Sequence, residues 1–113
     1  MADEKRKQKR IATSFTRIWT SFNDEIYPGR MRNISYEGAN IGMLDRFCEV
    51  GETFDVSIIP SKDGGELIMF EAKKVWEKED RDGEWLVGCQ FLNVTAEQKE
   101  AITNRFVKES AYA

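Results

Sequence analysis

Residues 53–77, TFDVSIIPSKDGGELIMFEAKKVWE, decide how the fold is read. Phe54, Val56 and Ile58 alternate with other residues, which is the two-residue period of a strand that buries one face. Pro60 followed by Asp63, Gly64 and Gly65 supplies the turn chemistry of a hairpin loop, so the chain reverses into a longer strand from Leu67 to about Glu77. Working outward, the same signals recur. Asp80 to Gly83 reads as a further turn, and Glu84 to Leu92 completes the set, with Gly88 marking a bulge or a close backbone approach. On the N-terminal side, Ile11, Thr13, Phe15, Arg17 and Trp19 fall on one face and Ala12, Ser14, Thr16 and Ile18 on the other, giving a first strand that ends near Asn23. Tyr27, Pro28 and Gly29 read as a turn, Arg30 to Ser35 as a second strand running into a bend, and Ala39 to Leu44 as a third.

The C-terminal segment has a different character. Thr95 with Gln98 three residues later is a capping-box signature, residues 96–109 contain neither Gly nor Pro, and Ile102 and Phe106 share one helical face. Six short strands followed by one helix predict an antiparallel barrel or sandwich whose helix covers an open end or face. At 113 residues and 41% hydrophobic composition, the chain fits one domain with a core of its own. Phe15, Phe54, Phe70, Phe91 and Phe106 are read as core.

Composition narrows the chemistry. The chain has no histidine, which removes the usual general base, the usual zinc ligand and the His-activated nucleophile together. The expectation is a protein that is not an enzyme and holds no metal. Cys48 and Cys89 stand alone without a CxxC neighbour, which suits two buried free thiols in a reducing compartment. The N-terminus MADEKRKQKR is not followed by an apolar stretch of signal or membrane-span length, so the expected location is cytoplasmic, with no membrane insertion.

Charge is unevenly placed. Residues 1–10 carry five basic groups against two acidic ones, a net of +3, while the remainder holds twelve against eighteen, a net of -6. The chain is therefore divided into a basic arm, 1–10, and an acidic body, 11–113. Such an arm either folds back on the body or reaches for an anion. Within it, Arg6 and Arg10 stand four apart just before the first strand. Each guanidinium offers a planar fork that grips a phosphate, or the O6 and N7 edge of a guanine, with two bonds. The second cluster is Asn33-Ile34-Ser35-Tyr36-Glu37-Gly38. Asn33 and Ser35 project to one face of a strand, and Gly38 permits a bend or a close approach. Alone, that cluster also reads as an ordinary turn.

Arg6-x-x-x-Arg10 before the first strand, then Asn33-x-Ser35-x-x-Gly38 after one strand and a turn, resembles the two signatures of the PilZ family, RxxxR and (D/N)xSxxG, in that order. The resemblance continues through Lys74-Val75-Trp76, Val87-Gly88-Cys89-Gln90-Phe91 and the C-terminal helix. It implies a six-stranded antiparallel β-barrel with one C-terminal helix, binding cyclic di-GMP as ligand and needing no cofactor. By position, Arg6 and Arg10 would grip guanine edges and phosphates, Asn33 and Ser35 would contact a guanine from the barrel surface, and Gly38 would keep the bend narrow. Trp76 stands where the family often sets a large apolar residue beside the ligand; its indole reads equally as a stacking face or as core. Lys5 departs from relatives that carry a second consecutive arginine, which leaves open whether one ligand or an intercalated pair is bound. The implied function is a sensor whose surface changes on binding and which acts on an effector protein in motility, adhesion or biofilm control. Two alternatives stand beside it: a PilZ-like adaptor of pilus assembly that binds no nucleotide, and a barrel for single-stranded nucleic acid. The acidic body argues against the last.

Overall fold

The computed structural model describes residues 11–60, 65–80 and 82–107, with 11–15 and 107 described by their backbone. Strands β1 (Ile11–Phe22), β2 (Glu25–Ile34), β3 (Gly38–Met43), β4 (Thr53–Ile58), β5 (Ile68–Glu79) and β6 (Trp85–Leu92) are followed by helix α1 (Ala96–Ile102). The strands close into a barrel in the order β1-β2-β3-β6-β5-β4, every neighbouring pair antiparallel. Of the barrel and the sandwich that the strand pattern permits, the barrel is adopted, so that every strand has a neighbour on each side.

The inner face is built as the alternation requires. Phe54, Val56 and Ile58 of β4 are buried, as are Ile68, Phe70 and Ala72 of β5 and Val87, Cys89 and Phe91 of β6. Phe70 and Phe91 stack with centroids 4.1 Å apart at 11°. The loop 44–52 covers one end of the barrel by inserting Phe47, which packs edge-on against Phe54 at 4.9 Å and beside Tyr27 at 5.6 Å. Helix α1 and the turn that follows it cover the opposite end, with Ile102 and Phe106 buried. Thr95 and Gln98 form the reciprocal capping box, while the Gln98 amide donates to the Met69 carbonyl at 2.7 Å and anchors the helix to β5. Cys48 and Cys89 are both buried free thiols.

Two expectations are corrected. Pro28 and Gly29 lie inside β2 rather than in a turn. The reversal is made by Asn23 and Asp24, which carry φ of 51° and 66°, the left-handed pair that a two-residue hairpin needs and that these side chains tolerate. Pro28 is accommodated because β2 there has a partner strand on one side only, β1, its pairing with β3 beginning at Gly29, and a strand edge is where proline is tolerated. The helix expected over 96–109 is α-helical to Ile102 and continues as a wider π turn over Thr103–Val107; residues 108 and 109 lie outside the described residues.

Candidate functional site

The outer surface where β2, β3, β6 and β5 adjoin gathers the polar residues that the motif points to. Asn33 pairs with Asn40, Asn40 with Gly88, and Gly88 with Trp76, so one row crosses four strands. Two bulges create it. On β2 the register shifts between Met31 and Asn33, so that Met31 and Ile34 face inward while Arg32 and Asn33 lie between them on the half-exposed side. On β5 it shifts between Lys74 and Trp76, turning Val75 and Trp76 outward together, with 48% and 42% of their surfaces exposed. An uninterrupted period of two would place Asn33 beside Met31 in the core, and Trp76 beside Ala72.

Trp76 lies over the backbone of Gly88. A Cβ built on Gly88 would sit 2.1 Å from the indole Nε1 and 2.3 Å from Cε2. The close approach anticipated at Gly88 is therefore the indole, and the bulge lies on the facing strand. At Gly38 a Cβ would meet the Cys89 carbonyl oxygen at 2.2 Å; the missing side chain there admits strand β6, whose Phe91 N–H donates to the Glu37 carbonyl at 2.8 Å.

A shallow recess of about 260 Å³ lies between Glu37, Gly38, Asn40, Val75, Trp76, Gly88 and Gln90. Glu37, Asn40 and Gln90 were not singled out by sequence reasoning. Asn40 had a signal, because it stands two residues after Gly38 and so shares its face. Gln90 is outward-facing on β6 between buried Cys89 and Phe91. Ser35 is placed differently from Asn33. It is buried, and its hydroxyl is engaged in the turn, accepting from Glu37 N–H at 3.3 Å and lying 3.4 Å from the Gly38 carbonyl. Arg6, Arg10 and Lys5 lie outside the described residues, so the structure brings together Asn33, Gly38 and Trp76, with Ser35 in the supporting turn.

Flanking Trp76 along β5 is a charged cluster that the alternation did not anticipate. Lys74 is wholly buried, and its ammonium donates to the Cys48 carbonyl at 2.6 Å and pairs with Glu77 at 2.6 Å. Arg46 closes on Glu77 and Glu49 at 2.6 and 2.7 Å. The Arg46 guanidinium is the main reason that the Glu77 carboxyl is held below its ordinary range; burial opposes it, and Lys74 adds to it. Burial pushes the Cys48 thiol up, against the pull of the Lys74 charge. Among the described residues no group of histidine, cysteine and carboxylate side chains is arranged to hold a metal ion, and no helix is long and apolar enough to cross a membrane.

A closed six-stranded barrel with this outer face defines a fold class, and the comparison with known families places it: the PilZ domain profile matches residues 4–108, so the chain belongs to the PilZ family. Solved structures agree on the fold. The PilZ domain of YcgR from Escherichia coli, determined with c-di-GMP, superposes with a TM-score of 0.73 at 16% identity, covering 96% of this chain and 95% of that one. MotI, an inhibitor of motility from Bacillus subtilis, gives 0.79 at 16% identity, covering 96% of this chain and 52% of that one. The c-di-GMP complex of MrkH from K. pneumonia gives 0.70 at 13% identity, with 96% and 52% covered. This chain thus spans about half the length of MotI and MrkH. No match was found among curated protein sequences.

Proposed function

We propose that this PilZ protein is a cytoplasmic, non-enzymatic receptor for cyclic di-GMP that changes its surface on binding and so regulates a partner protein in motility, adhesion or biofilm control. The observation that carries this reading is the row Asn33, Asn40, Gly88 and Trp76 on one outer face of the barrel. It offers amides for a base edge and an indole for a base plane, two complementary ways of holding a guanine. The arm bearing Arg6 and Arg10 joins the barrel beside that row, since Ala12 pairs with Asn33. Arg6 and Arg10 supply the positive charge that two ring phosphates require, on a body that is otherwise acidic. The structures of YcgR and MrkH with c-di-GMP support the reading, because both are structural relatives that hold this ligand.

Calorimetric titration with cyclic di-GMP, and with single-stranded RNA as the competing polyanion, tests the proposal. Arg10→Ala removes charge-assisted bidentate bonds and is expected to weaken binding by about 2–4 kcal/mol, roughly thirty- to a thousandfold. Ser35→Ala is expected to cost less, because the hydroxyl is already occupied by the turn. Absence of binding by the wild type would favour the pilus-adaptor alternative, and wild-type affinity in both variants would overturn the site.

A further inference from the structure

Lys74 is the one charged side chain among the described residues with no exposed surface, and the ligand reading gives it no role. We infer that Lys74 is a positioning residue: its buried ion pair with Glu77 holds the bulge at Val75 and thereby turns Trp76 out of the core onto the ligand face.

The pairing itself requires the bulge. In a regular strand, residues three apart point to opposite faces, so Lys74 inside the barrel would leave Glu77 outside it. The register runs Lys74 against Cys89 and then Trp76 against Gly88, with Val75 as the extra residue. This resets the alternation, so that Glu77 stands opposite buried Val87 and turns toward the interior. Only then does the carboxylate reach the ammonium at 2.6 Å.

The competing arrangement has an attraction of its own. Without the extra residue, Trp76 would follow Ala72 and Lys74 into the barrel and bury its whole indole, which hydrophobic burial alone favours. That arrangement strips Lys74 of its counter-charge while leaving the ammonium out of water, one of the costliest states a protein interior can hold. A buried ion pair is weak evidence for stability, but it is an effective means of choosing between registers. Here the choice decides whether Trp76 is core or surface.

The backbone at the bulge is held as well. Lys74 N–H donates to the Glu52 carbonyl at 3.0 Å, and Gly51 N–H donates to the Lys74 carbonyl at 2.8 Å. The Lys74 ammonium also reaches the Cys48 carbonyl and lies 5.1 Å from the centre of the Phe47 ring. The loop that caps the barrel and the strand that presents Trp76 therefore share one anchor.

The inference rests on the cyclic di-GMP reading only for its consequence, and the experiment separates the two. In a Trp19→Phe, Trp85→Phe background, Trp76 is the sole indole. Lys74→Met replaces the ammonium with an apolar group of similar length and leaves Glu77 paired with Arg46, whose Nε donates to it at 2.9 Å. Acrylamide quenching should be efficient in the parent and lost in Lys74→Met, with the emission shifted to shorter wavelength. Glu77→Gln provides the second variant should Lys74→Met fail to fold, and it should shift the emission in the same direction. Cyclic di-GMP affinity should fall about five- to a hundredfold in both Lys74→Met and Trp76→Ala, and the double variant should bind no more weakly than Trp76→Ala.

Quenching unchanged by loss of Lys74 would overturn the inference whether or not the protein binds cyclic di-GMP. So would an affinity loss that persists undiminished in the Trp76→Ala background, because Lys74 would then act by another route. A parent that binds no cyclic di-GMP but shows the quenching change would refute the ligand reading and leave the register role standing.

Discussion

Gly88→Ala is the smallest perturbation that distinguishes a packed Trp76 from an incidental one. The added methyl would lie 2.1 Å from Nε1 and 2.3 Å from Cε2 of the indole, so one of them must move by more than about 1 Å to reach ordinary van der Waals contact. Strand β6 is held by ladders to both β3 and β5, whereas Trp76 is 42% exposed. The indole therefore swings away and the strand stays. Gly88 is not among the positive-φ glycines, so alanine meets no backbone strain and gains about 0.4–1 kcal/mol from a less flexible unfolded chain. Losing part of a half-buried indole contact costs about 1–2 kcal/mol. The net loss is about 1 kcal/mol, a fall in Tm of roughly 3–6 °C for a domain of this size. Binding should suffer more, since the stacking face is displaced: about 1–3 kcal/mol, or roughly five- to a hundredfold in Kd. Thermal unfolding by circular dichroism and calorimetry with cyclic di-GMP read the two effects separately. In a Trp76→Ala background, Gly88→Ala should change neither quantity for the worse, because the indole that supplies the three nearest atoms to the methyl is gone. Wild-type affinity in Gly88→Ala, or a full additional loss on top of Trp76→Ala, would refute the assignment of Trp76 to the ligand face.

Phe70→Ala removes one ring of the stack with Phe91 from the barrel core, where Phe70 is 2% exposed. It should destabilise by about 3–5 kcal/mol in chemical denaturation, and a loss below about 1 kcal/mol would show that the stack is not central to the core. The Glu77 carboxyl is held below its ordinary range by Arg46 and Lys74, so its contribution to stability is complete above the ordinary carboxylate pKa of about 4.3 and is lost as pH falls through the depressed folded value. Glu77→Gln should therefore be less stable than the wild type at neutral pH, with the gap closing in acid; a gap independent of pH between 7 and 3 would assign the effect to something other than the charge.

Much is legible in the sequence, because it depends on local rules. Alternation over Thr53–Ile58 and its neighbours marked six strands, the Thr95 and Gln98 pair marked the helix start, and both motif clusters lay in plain sequence. A period of two reports which residues can share a face, and the burial of Phe54, Phe70 and Phe91 follows from it directly. The same rule failed where chain geometry departs from the regular strand. Pro28-Gly29 is strong turn chemistry, yet Asn23-Asp24 took the turn, because the pairing of β1 with β2 set where the reversal falls.

Bulges are the deeper limit, since they leave no mark in composition. An extra residue at Arg32 or Val75 looks the same in sequence whether or not the facing strand absorbs it, and the decision rests on contacts far away in the chain. Glu77 is three residues from Lys74, but the Cys48 carbonyl is 26 residues from it, and the Gly88 seat of Trp76 is twelve residues from the indole it receives. The sequence by itself determined that this chain is a small β-protein carrying RxxxR and NxSxxG. Only the tertiary structure decided that Trp76 faces outward and Lys74 inward, because burying a charge is tolerable only when the rest of the fold brings its partners to it.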